Sequence, residues 1–221
     1  MALDGVSRSL VRMLRQGCAW RDLDCEELAW RTVYGYFVLL RRGGVLTRAL
    51  RRLARGSATA IRCLDATYVR VHQDGANPAS SQKQELMGRS RGGLTSKIHL
   101  LCDSKGRPLR VLLGAGNRPD ICSASAMVTG LKGGTLAADR GYDSDALRVQ
   151  LYEAGVFPCI PTTRSRNEPR AFHRGHYKKR HTVENNFCSL KRLRRIATRY
   201  DKLASSYRFW VTLGCIRHWL K

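Results

Sequence analysis

Three carboxylates stand in settings that suit chemistry better than solvation. Asp65 lies in Leu64-Asp65-Ala66-Thr67, Asp139 in Asp139-Arg140-Gly141-Tyr142, and Glu184 in a basic stretch that reads Tyr177-x2-Arg180-x3-Glu184-x6-Lys191. A chain with 40 Lys+Arg against 17 Asp+Glu has few carboxylates to spare. Acids set among apolar and basic residues suggest ligands for divalent metal beside a polyanion. Two Asp on adjacent strands and a Glu on a packing helix can hold two cations for in-line phosphoryl transfer. One ion would lower the pKa of an attacking water or 3′-hydroxyl and the other would stabilise the leaving oxygen. All-oxygen ligation favours Mg²⁺, with Mn²⁺ as a substitute.

The spacing around Glu184 supports this grouping. At about 100° per residue, Tyr177, Arg180, Glu184 and Lys191 return to one stripe of a helix. Val183, Phe187 and Leu190 form an adjacent apolar stripe that can pack on a sheet. Alone, Arg180 and Glu184 would read as an ordinary i,i+4 surface ion pair. The conjunction with two Asp residues at strands of the same sheet shifts the balance.

The elements that must position these groups are legible as patterns. Residues 6–16 have helical spacing, a second helix is predicted from Glu26 to Leu40, and a third from Val45 to Leu53 carries Arg48, Arg51 and Arg52. Gly56-Ser57 then marks a linker, which predicts a helical region over 1–57 and a second domain over 58–221. From Ile61 the chain alternates, so Ile61, Cys63, Asp65, Thr67, Val69 and Val71 share one face of a strand. Residues 73–93, rich in Gln, Ser, Gly and Arg, read as a solvated loop.

Strands at Lys97–Cys102 and Leu109–Leu113 flank a hairpin signal at Asp103-Ser104-Lys105-Gly106, where Asp103 serves the turn. A helix from Asp120 to Leu131 precedes a strand at Thr135–Ala138, which delivers Asp139 at its end. Asp143 or Ser144 is expected to cap a helix over Asp145–Ala154. A fifth strand, Val156–Ile160, precedes a basic loop, a long helix over His176–Arg199, and a last helix over Ser205–Leu220. This order is α/β with a mixed sheet.

A net charge of +23, spread throughout the chain, implies a polyanionic partner. The eight cysteines are widely spaced with no CxxC pair, which suggests buried thiols in a reducing cytoplasm. No apolar run reaches the ~18 residues of a membrane span. Gly92-Gly93 and Gly114-x-Gly116 do not open helices in a phosphate-cradling pattern, so no nucleotide cofactor is expected. His173, His176, His181 and Cys188 fit no zinc-ligand spacing. His72 and His99 read as local hydrogen-bonding residues, and Trp210 and Trp219 as core or subunit contacts.

These motifs carry a family resemblance. From Ile61 onward the chain resembles the DDE transposases of bacterial insertion sequences, specifically the IS-four/IS-five superfamily, whose Y-x2-R-x3-E-x6-K signature Tyr177, Arg180, Glu184 and Lys191 match with every spacing intact. It extends to the stretch Gly88 to His99, to Asp139-Arg140-Gly141-Tyr142-Asp143-Ser144, and to Arg194 to Leu203. The resemblance implies a ribonuclease-H-like fold with a mixed five-stranded sheet flanked by helices. Asp65, Asp139 and Glu184 would be its catalytic and metal-binding residues, holding two Mg²⁺.

The implied reaction is metal-dependent hydrolysis at transposon ends, followed by attack of the freed 3′-hydroxyl on target DNA. Arg180 and Lys191 would hold transposon-end phosphates, and Tyr177 would position the helix or stack near the DNA. Double-stranded DNA, as terminal inverted repeats and as target, is the implied partner. A homodimer is implied for the synaptic complex, and the cytoplasm against the bacterial nucleoid for its location. The N-terminal stretches Leu14 to Leu23 and Trp30 to Tyr34 resemble the small helical region ahead of the catalytic domain, where a helix-turn-helix-like reader of inverted repeats would fit. Relatives carry some tens of residues before this point, so the region is expected to be N-terminally incomplete. The rival expectation is a non-catalytic, transposase-derived protein that occupies inverted repeats without cutting.

Overall fold

The computed structural model describes residues 2–25, 28–57, 59–164, 166–168 and 170–220. Three helices come first: α1 (Ala2–Gln16), α2 (Trp30–Arg42) and α3 (Val45–Arg55). The predicted start of the second helix at Glu26 lies outside the described residues, as does Ala58 at the predicted domain boundary. There follow β1 (Ile61–Val71), α4 (Ala79–Gln82), β2 (Gly88–Ser90), β3 (Gly93–Asp103), β4 (Pro108–Ala115), α5 (Ile121–Val128), β5 (Thr135–Ala137), α6 (Asp145–Glu153) and β6 (Phe157–Cys159). The chain closes with α7 (Arg174–Lys178), α8 (His181–Lys191), α9 (Arg194–Ala197), β7 (Thr198–Arg199) and α10 (Ala204–Trp219).

The sheet runs β4-β3-β1-β5-β6. Strand β3 is antiparallel to both β1 and β4, while β1, β5 and β6 are parallel. A central first strand with an antiparallel hairpin on one side and parallel strands on the other is the ribonuclease-H-like order. The expected five strands are present, and two short ones extend them. Strand β2 pairs with the start of β3, and β7 with the end of β1.

Helices cover both faces of the sheet. Cys63 and Val69 of β1 share a buried cluster with Ile98, Leu100 and Cys102 of β3, and with Val183, Phe187 and Leu190 of α8. The opposite face of the same strands, Leu64 and Leu101, packs with Met127 of α5 and Leu147 and Leu151 of α6. A strand covered on both sides is expected at the parallel centre of such a sheet.

The N-terminal helices belong to the first of these clusters. Val6, Leu10, Met13, Phe37 and Leu50 are buried in the same core as Tyr207, Trp210 and Cys215 of α10. Phe37 stacks on Trp210 with centroids 5.2 Å apart, and Trp20 packs on both rings. Trp210 is therefore a core residue. No helix among the described residues is long and apolar enough to cross a membrane.

The structure corrects three sequence expectations. The stretch 73–93 is not simply solvated: it contains a 3₁₀ turn, α4 and β2, and Met87 and Gly88 are buried. Its backbone satisfies buried polar groups, since Arg199 donates to the Glu85 carbonyl and Ser96 to that of Leu86. The long helix over 176–199 is broken twice. At Lys179-Arg180 the backbone tightens into i→i+3 bonds, Arg180 N–H to Tyr177 and Thr182 N–H to Lys179. At Leu193 it turns extended, with φ −87 and ψ 108, which buries Leu193 and Ile196 and returns Thr198-Arg199 to pair with β1.

Asp143 is the third correction, because it is not a helix cap. Its fully buried carboxylate accepts from Arg148 Nε at 3.0 Å, Arg166 Nε at 2.8 Å and the Thr163 N–H at 2.9 Å. Ser144 occupies the cap position without a side-chain bond to the helix. Asp145 binds Arg166 and Arg170 at the surface. Together the two acids fasten the basic loop after β6 to α6.

Candidate active site

Asp65 sits midway along β1, on the face that α8 covers, because alternation places it with Cys63 and Thr67. Its side chain is 17% exposed. The Ala66 N–H donates to Oδ1 at 2.8 Å, and Arg180 Nη1 donates to Oδ2 at 2.8 Å. Burial pushes the Asp65 carboxyl up to about 6. The Ala66 N–H and Arg180 pull against that rise, whereas the negative charges of Asp139 and Glu184 add to it.

Asp139 lies one residue beyond the end of β5, after Ala138, and caps a 3₁₀ turn over Arg140–Tyr142. Its Oδ1 accepts from the Gly141 N–H at 2.9 Å. A Cβ at Gly141 would lie 3.0 Å from that oxygen, so glycine keeps the carboxylate in this pose. Glu184 lies in the first turn of α8, with its side chain 49% exposed, and accepts from Arg180 Nη2. The Arg180 guanidinium thus joins a strand carboxylate to a helix carboxylate. Burial disfavours its charge, but Asp65 and then Glu184 hold its pKa above the usual value.

The other signature residues lie around this bridge. Lys191 Nζ donates to Thr67 Oγ1 at 2.7 Å, two residues along β1 from Asp65. The Tyr177 ring lies 5.8 Å from the Arg180 guanidinium carbon and packs edge-on against Phe172. Arg180 belongs to the tight turn between α7 and α8, and Cys63 Sγ donates to the carbonyl of neighbouring Lys179 at 3.2 Å. The predicted stripe therefore spans a helix break, yet Arg180, Glu184 and Lys191 still line the same face of β1.

The donor chemistry suits a hard divalent cation, since Asp65 and Asp139 are carboxylates close enough to raise the pKa of the first. Among the described residues, however, no three His, Cys, Asp or Glu side chains are gathered as a metal-binding group. Arg180 supplies positive charge to Asp65 and Glu184 instead. The His173 and His176 rings pack at a tilt with centroids 4.2 Å apart, and His176 Nδ1 lies 3.2 Å from Thr135 Oγ1.

Sequence reasoning passed over a second polar group, on the other face of β3. Lys97 is buried and donates to Asp120 Oδ1 at 2.8 Å and to the Arg118 carbonyl at 2.7 Å. His99 Nε2 lies 3.2 Å from Ser123 Oγ. The buried Tyr142 hydroxyl has no hydrogen-bond partner among the described residues, and burial, then Asp120, Asp65 and Asp139, push its pKa up. A lysine next to the buried Ile98, Leu100 and Leu101 was the available signal, because buried lysines are almost always paired.

Comparison with known proteins adds a family. Residues 56–219 match the Transposase DDE domain family. A candidate transposase for insertion sequence element IS6501, from Brucella ovis, is 36% identical over 133 residues, covering 58% of this chain and all of that protein. One for IS402, from Burkholderia cepacia, is 32% identical over 139 residues, and the match spans 58% of this chain and 63% of that relative.

Among solved structures, the piggyBac transposase synaptic complex with hairpin DNA aligns with a TM-score of 0.43 at 9% identity, over 74% of this chain and 48% of that one. The Mos1 paired-end complex with left transposon end aligns at 0.34 and 12% identity, over 98% and 76%.

Proposed function

The chain belongs to the transposase DDE domain family, and from that premise we propose that it cuts insertion-sequence ends and joins the freed 3′-hydroxyl to target DNA. The observation that carries this reading is the Arg180 bridge. It sets Glu184 of α8 beside Asp65 of β1, while Asp139 bears electrostatically on Asp65 from the end of β5.

Asp65, Asp139 and Glu184 would hold Mg²⁺, or Mn²⁺ in its place, as a pair of ions. The chemistry such ions supply when bound is activation of a water or 3′-hydroxyl and stabilisation of the leaving oxygen. The chain's own residues do the rest. Arg180 and Lys191 present fixed cations to the backbone phosphates, and Tyr177 steadies Arg180 through its ring face. The basic loop fastened by Asp143 and Asp145 adds Arg164 and Arg170 to the surface that meets DNA. Residues 1–57 would read the inverted repeats and residues 58–221 carry the chemistry, within a homodimer that brings two ends together.

A second reading has its own support. With Arg180 between Asp65 and Glu184, the chain could occupy inverted repeats without cutting them. One assay separates the two: labelled inverted-repeat DNA, Mg²⁺ and a target plasmid are incubated with the purified wild-type chain and with Asp139→Ala. Cleavage and joined product from wild type alone, with binding retained in Asp139→Ala, supports the transposase. Undiminished cleavage by Asp139→Ala would sink it, and binding without cleavage by wild type favours the second reading.

A further inference from the structure

At the end of the sheet where β1 and β5 begin, helices α3, α5 and α10 and the edge strand β4 enclose a cavity of about 750 Å³. Its cations are Arg51 and Arg55 of α3, Arg62 of β1, Arg110 of β4, Lys132 before β5 and Arg208 of α10. Among the described residues its lining holds no Asp or Glu. Asp139, by contrast, follows the far end of β5, and Asp65 faces the opposite side of β1 from Arg62. This cavity is therefore separate from the candidate active site.

The internal arrangement of these cations is costly unless something anionic joins them. Arg51 and Arg55 are an i,i+4 pair of like charges, as are Arg48 and Arg52 on the same helix, which has no acidic residue. Arg62 Nη2 reaches the Lys132 and Gly133 carbonyls, yet its buried Nη1 has no hydrogen-bond partner among the described residues. Arg110 caps the end of α5 through the Ala126, Met127 and Thr129 carbonyls. Burial and then the charge of Arg51 hold the Arg110 pKa below its usual value.

Four of the six, Arg51, Arg55, Lys132 and Arg208, are exposed at the rim and paired with no carboxylate among the described residues. A concave surface of one sign, floored by Leu50, Leu101 and Leu112, focuses its field and concentrates counter-ions.

We propose that this cationic rim is a second DNA-backbone contact face, on the β4 edge of the sheet and apart from Asp65, Asp139 and Glu184. Phosphate oxygens satisfy the rim arginines, and the repulsion within α3 is relieved only when they are present. The proposal rests on the chain being a DNA-binding transposase.

The test compares wild type with Arg51→Ala/Arg55→Ala/Arg208→Ala. A control, Lys83→Ala/Arg118→Ala/Lys202→Ala, removes the same charge from exposed sites elsewhere. Fluorescence anisotropy with a labelled duplex gives affinity against salt, and thermal melting gives stability. The rim variant should bind about 10- to 100-fold more weakly at low salt, and its log K against log salt slope should shrink by about 2 to 3. It should melt no lower than wild type, since like-charge repulsion has been removed.

Equal losses in the control, an unchanged slope in the rim variant, or a lowered melting temperature that accounts for its loss would each overturn the proposal. Wild type that binds no duplex overturns this inference and the transposase reading together. Binding by wild type with an unaffected rim variant overturns the inference alone.

Discussion

Arg180 Nη1 donates to Asp65 Oδ2 at 2.8 Å while Nη2 of the same guanidinium engages Glu184. One arginine thereby offsets two carboxylates that otherwise repel each other, and it does so from a turn held between α7 and α8. The bridge gives the two carboxylates a stable electrostatic state. A cation or phosphate that bound there would have to compete with it, so Arg180 would couple metal binding to DNA binding.

Replacing Arg180 with Gln should therefore tighten divalent-ion binding in the absence of DNA. A charge-assisted hydrogen bond to a carboxylate contributes about 1.5–3 kcal/mol, so the gain is on the order of tenfold or more in affinity. Titration with Mn²⁺ by calorimetry checks it. Duplex binding should weaken in the same variant. Unchanged or weaker Mn²⁺ binding would show that the arginine does not compete for the carboxylates.

Asp65 makes stability depend on pH in a defined direction. Its folded carboxyl is raised to about 6 against an ordinary value of 3.8, so the folded state holds the proton more tightly than the unfolded state. Stability from this group is therefore fully present below about 4 and is lost as pH rises through about 6. The loss amounts to about 3 kcal/mol at neutral pH. In metal-free buffer, the melting temperature of wild type relative to Asp65→Asn should fall between pH 4 and pH 7. A difference that stays flat across that range contradicts the raised carboxyl.

Much of this was readable before the structure, for local reasons. Alternation along 61–71 placed Asp65, and the apolar stripe Val183, Phe187 and Leu190 placed α8 on the sheet. The turn role of Asp103 also followed from residue type, since its Oδ1 accepts from the Lys105 and Arg107 N–H groups. What could not be read depends on partners distant in sequence.

The break at Leu193 serves burial against α10, where the Ile196 Cδ1 comes within 2.7 Å of the position a Cβ on Gly214 would take. The role of Asp143 needs Thr163 and Arg166, some twenty residues on. Phe37 reaches Trp210 across most of the chain, and no periodicity within 1–57 announces that contact.

Lys191 offers a simpler test of the phosphate-binding role. Its ammonium rests on Thr67 Oγ1, a neutral partner that gives it up at little cost. Lys191→Gln should weaken duplex binding by a similar factor for every sequence and reduce the salt slope by about 0.9. The fold should be unaffected because the side chain is exposed. Salt titrations of wild type and variant decide it, and an unchanged slope would remove Lys191 from the DNA contacts.

Asp143 tests how the basic loop is held. Its carboxylate is fully buried with Arg148, whose side chain is 2% exposed and also bonds the Ile160 carbonyl. Burial alone would raise the Asp143 pKa, but the Thr163 N–H, Arg148 and Arg166 outweigh it and hold the carboxyl below 3.8. Asp143→Ala leaves the Arg148 charge buried without a carboxylate, a class of change that costs about 3–5 kcal/mol. It also removes the carboxylate bonds to Thr163 and Arg166, so the loop after β6 should become sensitive to limited proteolysis while α6 remains folded. Asp145→Ala removes only exposed pairs with Arg166 and Arg170, and should change stability far less. Chemical denaturation ranks the two variants, and equal effects would mean that the buried carboxylate does not fasten the loop.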